Sequence, residues 1–230
     1  MKSYFLKEYG SWSVLLVAYI AGLFAGGRLT PEAFPVLIAL AMLVNSKQAF
    51  TLWLRQRRDT QSLTVFLGQV AFATLLLLYV FHGGVAPLLP LLIIPAAYLA
   101  VNRIAGEHAL ATEVLGFLLL SLAAPIAKYA VSLSLDYRLF IAVAVFFCVG
   151  VFKIRVQLRK TDRDRIISAT AVVAGVIIYL VAKLPLILLL PLADNLLFSA
   201  VPYQVKLKTT GWIEVAKSVV FLVLIAIYYS

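Results

Sequence analysis

The stretch Tyr137–Arg165, YRLFIAVAVFFCVGVFKIRVQLRKTDRDR, sets the reading of the chain. Residues 137–157 are almost wholly apolar, and the loop that follows carries Arg159, Lys160, Arg163 and Arg165. A helix rises about 1.5 Å per residue, so about 20 mostly apolar residues cross a hydrocarbon core roughly 30 Å thick. The stretch therefore reads as one membrane crossing that ends in a basic loop. The same unit recurs along the chain. Apolar runs at 11–27, 34–54, 62–82, 85–102, 108–131, 137–157, 166–183, 185–204 and 210–229 are separated by Pro, Gly and charged breaks.

The composition agrees. Hydrophobic residues make up 63% of the 230 residues and the mean hydropathy is +1.02, too apolar for a water-soluble domain that needs a polar exterior. The expected fold is an all-α transmembrane bundle of about nine helices, eight if one weak span fails, forming a single integral membrane domain over residues 1–230. The weak spans are the fourth, with Pro87, Pro90 and Pro95, and the eighth, with Pro185, Pro191, Pro202, Asp194 and Asn195. Proline removes a backbone donor and kinks a helix, so both are expected to be bent and packed against neighbours.

Charge orients the bundle. With nine spans and the N-terminus inside, only Arg28, Lys128, Arg138 and Lys183 fall on the outer side, and the other 16 of the 20 Lys and Arg residues fall on the inner side. Cytoplasmic loops are enriched in Lys and Arg. A missing or extra span would scramble this ratio, so the tally supports nine crossings with the N-terminus in and the C-terminus out. The expected location is a cell (inner/plasma) membrane, with the first hydrophobic stretch retained as a span.

Several chemistries are excluded or left without residues. The single cysteine, Cys148, cannot form an internal disulfide and reads as a small buried apolar side chain. His82 and His108 fall at opposite membrane faces, so they are not a haem pair. No His/Cys cluster has metal-ligand spacing and no GxxxxGKS loop is present, so no metal and no cofactor are expected. The net charge of +10 is spread over short loops at a membrane surface, where anionic lipid is the nearer partner than nucleic acid.

Polar residues gather at the inner ends of the spans. Lys7-Glu8-Tyr9-Gly10-Ser11-Trp12 precedes span one. Asn45 and Lys47 lie at least a turn inside the end of span two, ahead of Arg55, Arg57 and Arg58. Glu113 follows His108 into span five, and Lys153, Arg155 and Gln157 close span six. The arginine runs are explained by topology and anionic-lipid contact, and Trp12 and Trp53 by interfacial anchoring. The deeper residues are different, because an ionisable group at a helix centre costs about 2.5–3.5 kcal/mol on insertion scales and usually faces the bundle interior. Lys153 and Arg155 lie about 200° apart on a helix, so only one can point straight inward; Lys153 and Gln157 share a face. Glu214 and Lys217, three apart, can pair locally, and Lys128 is expected to snorkel outward.

The opening Lys7-Glu8-Tyr9-Gly10-Ser11-Trp12 resembles the Lys-x-His-Gly-x-Trp opening of the YwiC-like bacterial membrane proteins, with Tyr9 in place of their histidine. Thr112-Glu113-Val114-Leu115-Gly116, Ala123-Ala124-Pro125, and Arg155 followed by Arg159 extend that resemblance, which implies no established activity. More remotely, the nine-helix, N-in plan is similar to the UbiA-type intramembrane prenyltransferases. Their Asp-rich motifs at the inner ends of helices two and six hold magnesium and a prenyl diphosphate. The stretches at those places here are Asn45-Ser46-Lys47-Gln48-Ala49 and Lys153-Ile154-Arg155-Val156-Gln157, with no aspartate. Without hard oxygen ligands a magnesium pair has no basis, and the resemblance implies at most a degenerate prenyltransferase.

The expected function is the binding or handling of a membrane lipid, an isoprenoid, quinone or phospholipid, at a basic inner-face cavity. Asn45, Lys47, Lys153, Arg155 and Gln157 are the head-group candidates, and Glu113 is the candidate proton acceptor if the chain is catalytic. The alternative is a non-enzymatic partner or assembly factor for another membrane protein, docking through Lys7–Trp12 and the basic loops. A secondary transporter is the third class. It is suggested by the two proline-interrupted helices but weakened by the lack of repeat-related charges near the midplane.

Overall fold

The computed structural model of the chain describes residues 4–55, 59–159, 161–200 and 207–229. Lys2, Arg57, Arg58, Lys160, Pro202 and Lys206 lie outside them. Every regular element among the described residues is a helix. α1 spans Tyr9–Gly26, α2 Ala33–Arg55 and α3 Thr60–Val80. A 3-10 segment, Ala86–Leu92, runs into α4, Ile93–Ala105. α5 is Leu110–Ser121, α6 Ala123–Ser132, α7 Tyr137–Arg159 and α8 Asp162–Val181. A second 3-10 segment, Leu186–Leu192, runs into α9, Ala193–Ala200, and α10 is Leu207–Tyr229.

Among the described residues, eight segments are long and apolar enough to cross a membrane, and Leu186–Leu196 is a shorter apolar one. Each of the nine expected spans meets one of these, with ends shifted by a few residues. Large apolar side chains such as Leu75, Val181 and Ile227 point away from the bundle. Lipid tails are as apolar as leucine, so such faces cost nothing there.

Span five departs from the expected continuous helix. It breaks at Leu122, between α5 and α6. Pro125 is the cause, since its ring nitrogen cannot donate to the carbonyl of Ser121 and the ring crowds that carbonyl. The chain tightens there, with Leu122 N–H bonding Leu119 O at 3.2 Å.

Spans four and eight are bent as expected, and in the same way. Each opens with a seven-residue 3-10 segment holding an internal proline, Pro90 or Pro191, and then becomes α-helical. The two segments begin 100 residues apart, at Ala86 and Leu186. Ahead of them, α2 and α7 are both 23 residues long. The next helix start is capped alike: Asp59 takes the N–H of Ser62 at the head of α3, and Thr161 that of Asp164 at the head of α8. Packing separates the two bent spans: span eight lies against α7 and α8, the helices before it, whereas α4 packs on α5, the helix after it. α2 packs on α3 as α7 packs on α8; α1 touches α7 as α6 touches α2.

A close seam joins α1 to α6, built of Ala18, Ala21, Gly22, Ala25, Ala123, Ala124 and Ala127, all buried. Small side chains let helix backbones approach closely. A Cβ on Gly22 would stand 2.2 Å from the carbonyl oxygen of Ala124. α7 runs through the middle, buried along most of its length, with Phe146 stacked on Phe221 of α10 at 4.1 Å. At the end away from the basic loops, Lys128 reaches outward and is held by Asp136 at 2.7 Å and by the Tyr229 ring at 4.7 Å. Asp136 also accepts the N–H groups of Arg138 and Leu139 at the start of α7. Burial raises the Asp136 carboxyl, but these donors hold it below its ordinary value.

Candidate binding site at the basic end of the bundle

Three polar clusters occupy the end of the bundle where α2 and α7 finish and α1, α8 and α10 begin. The first is a strap of residues 4–8 laid across α2. Leu6 is buried, and the Asn45 side chain grips the strap from both sides: its Oδ1 accepts Leu6 N–H at 2.9 Å and its Nδ2 donates to Tyr4 O at 3.2 Å. Trp12 stacks on Phe5 and donates its indole N–H to Leu6 O at 3.0 Å. Glu8 then accepts from Lys47 at 2.8 Å and from Ser11 at 2.9 Å. Partial burial pushes the Glu8 carboxyl up, but the Lys47 ammonium and Ser11 outweigh it and leave the group below its ordinary value. Lys47 also lies 3.7 Å from Glu107, which Arg55 holds at 2.7 Å. Of the Lys7–Trp12 motif, Lys7 and Tyr9 stay exposed. A Cβ on Gly10 would meet nothing within 4 Å.

The second cluster is one ion pair. Arg155 of α7 donates through Nη1 to Oε2 of Glu113, in the first turn of α5. The candidate proton acceptor is therefore engaged by a candidate head-group base.

The third cluster is the deepest. Lys153, 1% exposed, lies six residues before the end of α7, roughly 9 Å along the axis. Its ammonium binds Asp194 of α9 and lies 3.3 Å from Glu214 of α10. Lys217, also buried, lies 2.9 Å from both Asp194 and Glu214 and donates to Asn195 Oδ1 at 2.7 Å. Asn195 donates to the carbonyl of Val149 at 3.3 Å. The Phe198 ring sits 5.6 Å from the Lys153 ammonium. Two lysines and two carboxylates so form a net-neutral network joining three helices, beside the point where the broken eighth span turns from 3-10 to α.

The spacing argument for α7 holds: Lys153 is turned fully inward, while Arg155 is less buried. Gln157 is half-buried one turn beyond Lys153. The expected pairing of Glu214 with Lys217 is present. Lys47, Lys153 and Arg155 do not converge on one bare basic surface; each is taken by its own carboxylates. The physical reason is the several kcal/mol needed to strip water from an unpaired ion. Asp194, Asn195 and Lys217 were not among the sequence candidates. The signal that could have found them is an Asp-Asn pair inside an apolar run, which needs a basic partner on another helix.

A cavity of about 210 Å³ adjoins this network. Its wall is apolar, from Val149 on α7, Val172, Gly175 and Val176 on α8, and Leu189 and Ala193 around the break in span eight. The network side chains do not line it, but its wall neighbours them at two points. Ala193 lines it and Asp194 follows; Val149 lines it, and the Val149 carbonyl holds Asn195.

Fold and composition together define a multi-pass helical membrane protein. The family model for YwiC-like protein matches residues 6–128, more than half of the chain, and the chain belongs to the YwiC-like family. No curated protein and no solved structure matches it. These comparisons carry the YwiC-like resemblance and do not extend to the UbiA-type one. The matched stretch includes Leu6–Glu8 of the strap, Asn45, Lys47, Glu107 and Glu113 and ends within α6. The Lys153 network lies beyond it.

Proposed function

We propose that this protein handles a membrane lipid in a bacterial cell membrane, with its basic end at the cytoplasmic face. The lipid class runs over isoprenoids, quinones and phospholipids. One observation carries the reading: an apolar cavity lies beside a buried ion network at a bent helix. A lipid is a molecule with those two parts in that order, and small-molecule sites are mostly apolar clefts with few convergent polar groups. The depth agrees. The network lies roughly 9 Å in from the end of α7, and Val149 lies roughly 15 Å in, so a head group seated at the network sends its tail toward the midplane. Sheltered lipid chemistry is compatible with the site but is not needed to explain it.

The test is native mass spectrometry of the protein purified in mild detergent, with and without Val176→Trp, which fills the cavity. A retained lipid that is lost in the variant supports the reading. Purification free of lipid, or retention unchanged by the variant, sinks it.

A second reading draws on the exposed Lys7 and Tyr9 beside the ordered strap. Tyr9 is 89% exposed, a large aromatic offered at the membrane boundary. Another membrane protein docking there would make the chain an assembly partner. Crosslinking from Tyr9 at native expression that captures no membrane protein removes this reading.

A further inference from the structure

We infer that the head group received by the α7–α9–α10 network carries an ammonium, which makes an aminophospholipid its ligand class; this rests on the lipid-handling reading above. The starting point is which charges lie outermost. The side chains of Lys153 and Lys217 are 1% and 8% exposed, whereas Asp194 and Glu214 are 28% and 23% exposed. Glu107 departs from this order, at 21% against Arg55 at 64%, but Arg155 at 12% lies deeper than Glu113 at 30% and Lys47 at 25% deeper than Glu8 at 45%. In the network itself every base is the deeper partner and every acid the more accessible one. A ligand reaching the network meets carboxylate first.

Donor and acceptor capacity points the same way. A lysine ammonium has three donors. Those of Lys217 face Asp194, Glu214 and Asn195, all within 2.9 Å, and Lys153 is shared between the two carboxylates. An ionised carboxylate has about four lone-pair sites, so Asp194 and Glu214 can accept more donors after holding both lysines. An anionic head would bring like charge against these oxygens and would find the lysines already satisfied. A primary ammonium brings three donors of the right sign.

The rest of an aminophospholipid also has a place. Arg159 and Lys208 are exposed, each six residues from a network residue toward the basic end, Arg159 from Lys153 and Lys208 from Glu214, roughly 9 Å along the axis. They can approach the lipid phosphate, while the cavity at Val149 and Ala193 takes a chain. The network is net neutral, and so is a zwitterionic head.

The experiment offers the purified protein an equimolar mixture of phosphatidylethanolamine, phosphatidylcholine and phosphatidylglycerol and reads bound lipid by native mass spectrometry. The expected result is at least tenfold preference for phosphatidylethanolamine over both others. Phosphatidylcholine keeps the positive charge but has lost the N–H donors. Asp194→Asn with Glu214→Gln keeps the side-chain shapes and should erase the preference over phosphatidylglycerol. Free ethanolamine should compete only weakly, since it lacks the chain. Preferred binding of phosphatidylglycerol by the unmodified protein, or a preference unchanged in the double variant, overturns the inference. Should the double variant not fold, the three-lipid comparison on the unmodified protein decides alone. A retained lipid of the wrong head group defeats this inference and leaves lipid handling standing; absence of any retained lipid defeats both.

Discussion

Lys153 on α7 is bound to Asp194 on α9, 41 residues further along the chain, inside a bundle that offers this ammonium almost no solvent. The pair ties the most buried helix to the bent eighth span, and Glu214 and Lys217 tie both to α10. Breaking a buried pair by removing one partner costs about 3–5 kcal/mol, because the other charge is left uncompensated. Lys153→Met should therefore destabilise the solubilised protein by about that much, while Lys153→Met combined with Asp194→Leu should cost less than the sum of the two. Thermal unfolding in detergent measures this. Additive losses would show that the two side chains are not coupled.

The α1–α6 seam predicts a contrast between two glycines on one helix. A methyl at Gly22 meets the Ala124 backbone carbonyl, which cannot move aside without shifting α6. Gly22→Ala should cost about 1–3 kcal/mol, the usual range for overpacking. Gly10→Ala meets open space and should leave the unfolding temperature nearly unchanged. Equal effects at both positions would contradict the packing described.

The strap should respond to acid. Glu8 has a folded-state value below its ordinary 4.5. A carboxylate lowered on folding stabilises the folded form above its unfolded value and loses that contribution as pH falls through the folded one. The strap should hold from neutral pH down to about 4.5 and loosen below it. Trp12 fluorescence reports this, since the indole lies on Phe5 and bonds Leu6. Glu8→Gln should remove the acid step. A transition centred above 4.5 would assign the titration to another group.

Among the described residues, seven long apolar segments run from Tyr9 to Lys183, an odd number that puts the two residues on opposite sides. In a Cys148→Ser background, Tyr9→Cys should be labelled by an impermeant thiol reagent only from the cytoplasmic side and Lys183→Cys only from the other. Labelling of both from one side would remove a crossing between them.

The spans were legible because each apolar run is near the length a bilayer demands and is bounded by charge or proline. The bends of spans four and eight followed from Pro90 and Pro191. The break at Leu122 did not, because one proline inside a long apolar run leaves the hydropathy unchanged while removing a single backbone bond. The inward turn of Lys153 followed from its angle to Arg155. Its partners did not, because Asp194 and Glu214 come to it through the packing of three helices, and no local spacing encodes contacts 41 and 61 residues apart. For the same reason Lys47, Arg155 and Glu113 were legible as deep polar residues but not as members of separate ion pairs.

On the lipid-handling reading, the cavity between α7, α8 and the bent eighth span holds a lipid chain. A photoreactive lipid with a diazirine in its tail, incorporated into membranes with the protein and mapped by peptide mass spectrometry, tests it most directly. Crosslinks should concentrate on Val176, Leu189 and Ala193 and be abolished by Val176→Trp. Labelling spread evenly over outward residues such as Leu75 and Ile227, with none at the cavity, would contradict it.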